Sequence, residues 1–549
     1  MRADYLERFR AYFGKDGFNR FLEGGARFPQ ARHRHSITET APGHASIGTG
    51  LDPRHHGILS NRRFDEERRR ALYSSDDPAS QWVGPPAGAP KIPEEPASPI
   101  LLDGASLGDR LKEKFPRARV VSVALKDRAA VFMGGRKADA AVWFQEGFGR
   151  FVTSTYYPPH PSLLKFNERL PDFFAKRKIW EPSAKIPEGD LEKITFDPPA
   201  LRKFKDPIDG MGESFPHPLA TVKALLYSPY GDELILNFAR FAMEDFGLGR
   251  NAAEEPDLLF VGMSSTDYYG HKYGPDSREM ADGIVRLDST LEAFFRWLDE
   301  RVGRERLLLF LTSDHGVTPI PEVARERARN STGRDDPAAA GRVNLKNIRG
   351  DGPVREVGAD RMALERHLAK IFRHELLLDR PNLSEGAVVW FDDGYLYLNK
   401  PVLTRRGLPV EKVKTKARDF LRGLPGVRSA YTNTELLDGL APTEPDALAI
   451  ERSFRADRAG DLLVVLKPGW VWFYEKPAGT THGQPTEDDM RVPLLSWGAG
   501  VKAGSWDVKV SPISIARTVG ALFGFEVGEP DAPILEPVLG RDIRLAKPQ

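Results

Sequence analysis

Three apolar runs constrain this chain most, because each leads into side chains that bind metals. "DLLFVGM" (257–263) runs into "SSTDYYGH", with Asp267 and His271. "RLLLFLT" (306–312) runs into "SDHG", with Asp314 and His315. "DLLVVLKPGW" (461–470) is followed, after a short loop, by "THG", with His482. Short β-forming runs bounded by turn residues read as buried strands. Between and around them the period changes to that of helices. One helix is predicted over about 232–247 and another over about 277–302, the latter with Met280, Ile284, Leu287, Leu291, Phe295 and Leu298 spaced three and four apart. Strands alternating with helices predict an α/β fold: a mostly parallel central sheet with helices on both faces. In such a sheet the carboxyl ends of the strands open on one crevice, and the five ligand-type residues meet there.

The donor set limits the chemistry. The chain has 549 residues and no cysteine. Disulfides, zinc–thiolate sites and a cysteine nucleophile are therefore excluded. Imidazole and carboxylate donors without sulfur suit zinc at a catalytic site, and five of them suffice for more than one ion. Each fragment alone is ambiguous, since "SDHG" is also good turn chemistry; the argument rests on three coinciding at strand ends. The formal net charge of +1 gives no electrostatic case for a nucleic-acid polymer as partner. No apolar run is long enough for a membrane-spanning helix.

The remaining segments arrange around this core. "ARVVSVAL", "AAVWF" and "FVTSTYY" read as further strands, and "PISIARTVGALFG" as a closing helix. Residues 1–30 read as helical, with Leu6, Phe9 and Phe13 on one apolar stripe and a turn around Gly24–Gly25, and the stretch 33–61 that follows is dense in turn formers and poor in periodicity. Residues 158–215, rich in Pro, Lys and Phe, read as a lid-like insertion over the leaving-group side. Residues 321–358 read as a mobile excursion. The expected organisation is a catalytic core over 1–350, an inserted α+β subdomain over 351–455, and the rest of the core over 456–549.

Residues 38–61 carry a family resemblance. "TETAPGHASIGTGLDPRHHGILSN" contains Thr40, Pro42, His44, Thr49–Gly50, Pro53, His56–Gly57–Ile58 and Asn61. With "STDYYGHKYGPDS", "TSDHG" and "THG" following in order, the chain resembles the alkaline phosphatase superfamily. Within it, the similarity is to nucleotide pyrophosphatase/phosphodiesterases and PafA-type alkaline phosphatases. The resemblance implies that Thr40 is the nucleophile and that Asp267, His271 and His482 hold one zinc. Asp314, His315 and the Thr40 oxygen would hold a second. It implies that Asn61 binds a phosphoryl oxygen, and that Lys126 and Arg128 of "VALKDRAAV" do the same. His44, His55 and His56 are expected to be scaffold. Lys126 and Arg128, two apart after a strand, are expected to point to one face.

That cation pair favours monoesters, whose extra unsubstituted oxygen gives it charge to bind. The expected function is zinc-dependent hydrolysis of small phosphate monoesters through a phosphothreonine. The alternatives are a phosphodiesterase or nucleotide pyrophosphatase, and a pseudoenzyme that binds phosphorylated ligands. A sulfatase would need a Cys- or Ser-derived formylglycine where this chain has Thr40. Arg136, where related sequences often carry His, is read as a cation near the pocket rim. The pseudoenzyme arises from one departure: in the family a first core strand ends in an Asp that ligates the second zinc, whereas this chain begins "MRADYL", and Asp4 falls beyond that position. The expectation is a reading frame that extends upstream, with the first core strand missing here. The resemblance further implies a periplasmic or secreted full-length protein; the oligomeric state is left open, with a monomer favoured.

Overall fold

The computed structural model describes residues 1–345, 359–372, 386–441, 443–473 and 477–540. Twelve strands place the site: β1 (Ala26–Arg27), β2 (Val120–Ala124), β3 (Ala140–Gln145), β4 (Arg150–Ser154), β5 (Leu258–Gly262), β6 (Leu308–Thr312), β7 (Val388–Asp392), β8 (Tyr395–Leu398), β9 (Val427–Thr432), β10 (Leu462–Leu466), β11 (Leu494–Gly498) and β12 (Gly504–Ser505). Six helices matter with them: α1 (Thr40–Thr49), α2 (Asp127–Gly134), α3 (Pro229–Phe246), α4 (Ser265–Tyr273), α5 (Arg278–Arg301) and α6 (Ser514–Phe523).

The catalytic layer consists of two sheets. One has the order β5-β2-β3-β4, extended by Trp82–Val83; β5, β2 and β3 run parallel, and the outer pairs run antiparallel. The other has the order β6-β11-β1-β12, in which only β1 and β12 pair in parallel. The α/β class holds, with parallel pairing concentrated at β5-β2-β3. Side-chain alternation shows that β5 and β6 share one layer. Leu259, Val261, Leu309 and Leu311 pack in the cluster that contains α3 and α5. Leu258, Phe260, Leu308 and Phe310 pack in the cluster with Ile47 of α1 and Ile515, Ala516 and Val519 of α6. Helices thus cover both faces. Every residue of β5 and β6 is nevertheless only half-buried, unlike the fully buried β2. Among the described residues no strand pairs with the remaining edge of either.

The long helices form where periodicity predicts. Ser277 caps α5 by accepting the Met280 N–H at 3.0 Å, and the six predicted apolar residues are buried. Three expectations change. The start is not one helix but Tyr5–Arg8, a 3₁₀ turn at Arg10–Tyr12, and Phe18–Gly24. Buried Asp288 of α5 takes the Gly14 and Phe18 N–H groups at 2.6 and 2.7 Å, diverting the backbone donors that a continuous helix would use. The turn-former-rich stretch 33–61 instead contains α1, packed tightly on its surroundings: a Cβ on Gly43 would lie 2.5 Å from the Asp314 carbonyl oxygen, and one on Gly48 2.3 Å from that of Phe132. Residues 321–332 form a helix and Gly341–Val343 a short strand paired in parallel with Trp470–Trp472, while 346–358 of the expected excursion lie outside the described residues.

The run "DLLVVL" is also placed differently. It forms β10, in the separate sheet β7-β8-β10-β9 of the inserted α+β unit. The catalytic layer therefore does not resume there, and His482 arrives on a loop beyond the inserted sheet. Residues 158–215 pack as a fixed wall against α4 and α5. Trp180 is fully buried and donates from Nε1 to Asp282 at 2.6 Å; buried Lys205 reaches both Glu279 oxygens at 2.9–3.0 Å.

Candidate active site

The site is assembled where α1, α2, α4 and two loops converge. Asp267 and His271 sit one turn apart on α4, and His482 comes in from the loop after the inserted unit. One ligand atom from each lies within 4.8 Å of the other two. Asp267 Oδ1 is 3.3 Å from His271 Nε2 and 3.5 Å from His482 Nε2. Asp314 and His315 follow β6, with Asp314 Oδ2 3.2 Å from His315 Nε2. The His315 and His482 rings stack with centroids 3.4 Å apart, so the two ligand groups adjoin.

The orientation of the imidazoles fits a metal. His271 Nδ1 lies 2.8 Å from the Thr480 carbonyl, His482 Nδ1 2.7 Å from that of Thr38, and His315 Nδ1 2.8 Å from that of Gly316. A carbonyl only accepts, so each Nδ1 carries the proton and each Nε2 presents a lone pair to the crevice. This is the outer support that metal-ligating histidines require. His315 Nε2 is buried with no hydrogen-bond partner, an orphan that an ion would satisfy. Burial pushes His482 well below its ordinary pKa, keeping it neutral. Burial alone would raise Asp267, but Lys126 and His271 outweigh it and hold the carboxylate well below its usual range. His315 and His44 do the same for Asp314.

Thr40 is the first residue of α1 and is almost fully buried. Lys126 Nζ donates to Thr40 Oγ1 at 3.3 Å and to Asp267 Oδ2 at 2.5 Å. Asn61 accepts the Ala41 N–H on Oδ1 at 2.9 Å, which leaves its amide hydrogens for another acceptor. Lys126 and Arg128 do not share a strand face. Lys126 is the N-cap of α2 and Arg128 lies in its first turn, so the strand period does not apply. Arg128 Nε is buried without a partner. The Tyr227 and Tyr268 rings stack at 4.5 Å beside Lys126, whose Nζ lies 4.9 Å from the Tyr268 centroid. Sequence reasoning missed this wall, although Tyr268 adjoins Asp267.

The other expected residues separate. His44 Nδ1 lies 2.9 Å from the Thr40 carbonyl and 3.3 Å from Asp314 Oδ2; His56 holds Ser46 at 3.0 Å, and His55 holds Glu529 at 2.5 Å. Arg136 is not at the pocket rim. It lies beyond the far end of α2, exposed, and donates to the Leu102 carbonyl. Asp4 pairs with Arg2 at 2.8 Å and takes no part. The Met1 nitrogen donates to Ser313 Oγ at 2.6 Å and to the His315 carbonyl at 2.8 Å. Among the described residues, only Asp267, His271 and His482 form a three-ligand group. No described helix is long and apolar enough to cross a membrane.

Known proteins resemble the chain over nearly all of its length. Alkaline phosphatase PhoK of a Sphingomonas species is 31% identical, over 98% of this chain and 90% of its own length. Alkaline phosphatase PhoV of Synechococcus elongatus is 30% identical, over 95% and 88%. The crystal structure of alkaline phosphatase PafA superposes with a TM-score of 0.82 at 25% identity, covering 98% of this chain and 97% of PafA. The family described as type I phosphodiesterase / nucleotide pyrophosphatase matches residues 1–487, and the chain belongs to that family.

Proposed function

We propose that this chain is a metal-dependent phosphate monoester hydrolase of the alkaline phosphatase type. Its relatives of similar length carry that name, and one observation carries the reading to these residues: a single buried ammonium, Lys126 Nζ, contacts both the Thr40 hydroxyl and the Asp267 carboxylate. Asp267, His271 and His482 would hold one zinc, and Asp314, His315 and Thr40 Oγ1 a second. When bound, such ions stabilise alkoxide character at a hydroxyl and at a leaving oxygen.

The protein's own groups supply the rest. Thr40, at the positive end of α1, attacks phosphorus in line, and the ester oxygen departs with its bonding pair and takes up the proton that the threonine hydroxyl gives up. Water then cleaves the phosphothreonine and restores the hydroxyl. Lys126 donates to Thr40 Oγ1, and with Arg128 it binds unsubstituted phosphoryl oxygens. Asn61 directs its free amide hydrogens at another. These charges act where a monoester concentrates its own, in a site preorganised before substrate arrives. The Tyr227–Tyr268 wall borders the ammonium and offers an apolar surface to an aryl leaving group.

Parallel kinetics on 4-nitrophenyl phosphate and bis(4-nitrophenyl) phosphate, with zinc supplied, test the reading. A higher kcat/KM on the diester would favour the phosphodiesterase alternative, to which the family's description also points. Binding of phosphate without turnover of either substrate would favour the pseudoenzyme. Acid quenching followed by mass spectrometry tests for phosphate on Thr40. A periplasmic or secreted location follows from the family resemblance and is tested by fractionating cells that express the full-length protein.

A further inference from the structure

Glu39, the residue before Thr40, occupies an unusual position. It is the N-cap of α1, where short side chains that cap the first turn are preferred, yet its side chain makes no capping bond. Instead Glu39 Oε2 accepts the backbone N–H of Asn61 at 2.6 Å, while Asn61 Oδ1 accepts the N–H of Ala41 at 2.9 Å. Asn61 is thus held at its backbone by the residue before Thr40 and at its side chain by the residue after it. Glu39 is 1% exposed, so no water competes for this bond.

The outer side of Glu39 meets the inserted unit. Its carboxyl meets that of Asp393, in the turn between β7 and β8. Asp393 adopts φ +40°, a left-handed conformation that costs a non-glycine residue energy and is retained where the surroundings over-determine it. The next residue, Gly394, lies against Ile37: a Cβ there would be 3.9 Å from the Ile37 Cδ1. The turn is therefore seated against the segment that leads into α1.

We propose that Glu39 is a positioning residue that fixes Asn61 relative to Thr40, and that the Asp392–Asp393–Gly394 turn of the inserted unit is its outer support. The inserted unit thereby belongs to the active site's framework, a role that neither its sequence nor the chemistry of the metal ligands suggests. This inference rests on the reading that Thr40 and Asn61 face the reacting phosphoryl group. Asn61 lies on a loop, where a displacement of about 1 Å costs on the order of 100-fold in rate.

The test is a set of variants assayed on 4-nitrophenyl phosphate with zinc supplied, alongside thermal unfolding. Glu39→Ala should lower kcat/KM by about 100-fold. Glu39→Gln keeps an acceptor for the Asn61 N–H and a donor for Asp393, and should stay within about fivefold of wild type. In an Asn61→Ala background, Glu39→Ala should cost only about threefold more, because the group it positions is gone. Asp393→Gly relieves the left-handed strain, so Tm should hold or rise while kcat/KM falls. This variant keeps the proposal testable if Glu39→Ala fails to fold. Multiplicative losses for Glu39→Ala and Asn61→Ala, or full activity in Asp393→Gly, would overturn the proposal. Thr40→Ala separates the two levels. If it leaves turnover intact, the reading of the site fails and takes this inference with it. If it abolishes turnover while Glu39→Ala does not change it, only the positioning role fails.

Discussion

Replacing Lys126 with alanine should weaken catalysis and strengthen metal binding at once. Its ammonium is 7% exposed, 3.3 Å from Thr40 Oγ1 and 2.5 Å from Asp267 Oδ2. A phosphoryl group at Thr40 falls within its reach, and losing one preorganised charged donor from such a site costs about 3 kcal/mol, or roughly 100-fold in kcat/KM on a monoester. A diester carries about half the charge and should lose about tenfold, so the monoester-to-diester ratio falls by about tenfold. The metal responds oppositely. A dication bound by Asp267, His271 and His482 would repel an ammonium about 5 Å away by about 7 kcal/mol at an effective dielectric constant near 20. Relief of even a quarter of that tightens metal binding by about tenfold. The assay pairs kcat/KM on both substrates at saturating zinc with a competitive chelator titration. Equal losses on both substrates, or weaker metal binding, would refute the reasoning, since a general structural defect lowers everything together.

Other perturbations test the surroundings. His482→Ala should remove the tightly held metal equivalent, read by elemental analysis after dialysis, while Tm measured in chelator stays near that of wild type. Asp489 is buried; its carboxyl accepts from the Gln484 N–H and Thr318 Oγ1 at 3.0 Å, joining the loops that carry His482 and His315, and burial pushes its pKa up to about 7 from an ordinary 3.8. The folded state therefore holds the proton more tightly than the unfolded state does. Stability from this group is present at low pH and declines as pH rises from about 4 through 7, by roughly 4 kcal/mol in all. Urea midpoints across that range should slope less in Asp489→Asn; an unchanged slope would refute the assignment. Trp180→Ala removes a fully buried indole from the 158–215 wall and leaves Asp282 short of a donor, so unfolding free energy should fall by about 4 kcal/mol.

What the sequence made legible was chemistry tied to neighbouring residues. Asp267 and His271 are four apart, and Asp314 and His315 adjacent, so their placement at the ends of β5 and β6 needed only the strand and the next few residues. The periodic helix α5 was readable for the same reason. The errors arose where a partner distant in sequence decides the outcome. "DLLVVL" is equally apolar in either sheet, and only its pairing with β8 and β9 assigns it to the inserted unit. The small residues of α1 read as turn formers because composition does not show that Gly43 and Gly48 lie against other backbones.

Lys126 and Arg128 illustrate the same boundary within one motif. Their spacing suggested a shared strand face, yet the chain has already left β2 at Ala124 and begins α2 at Asp127. At a strand-to-helix junction the period of two no longer governs where side chains point. Lys126 nevertheless reaches the site because it caps a helix whose N-terminus opens on the crevice, as the carboxyl end of a parallel strand requires. The place of Lys126 beside Thr40 depends on the topology of β5, β2 and β3, whereas the geometric reason first given for its direction depended on a strand that ends two residues too soon. Glu39 was illegible for the complementary reason: its partners, Asn61 and Asp393, lie 22 and 354 positions away, and nothing local marks a glutamate at an N-cap as a support for either.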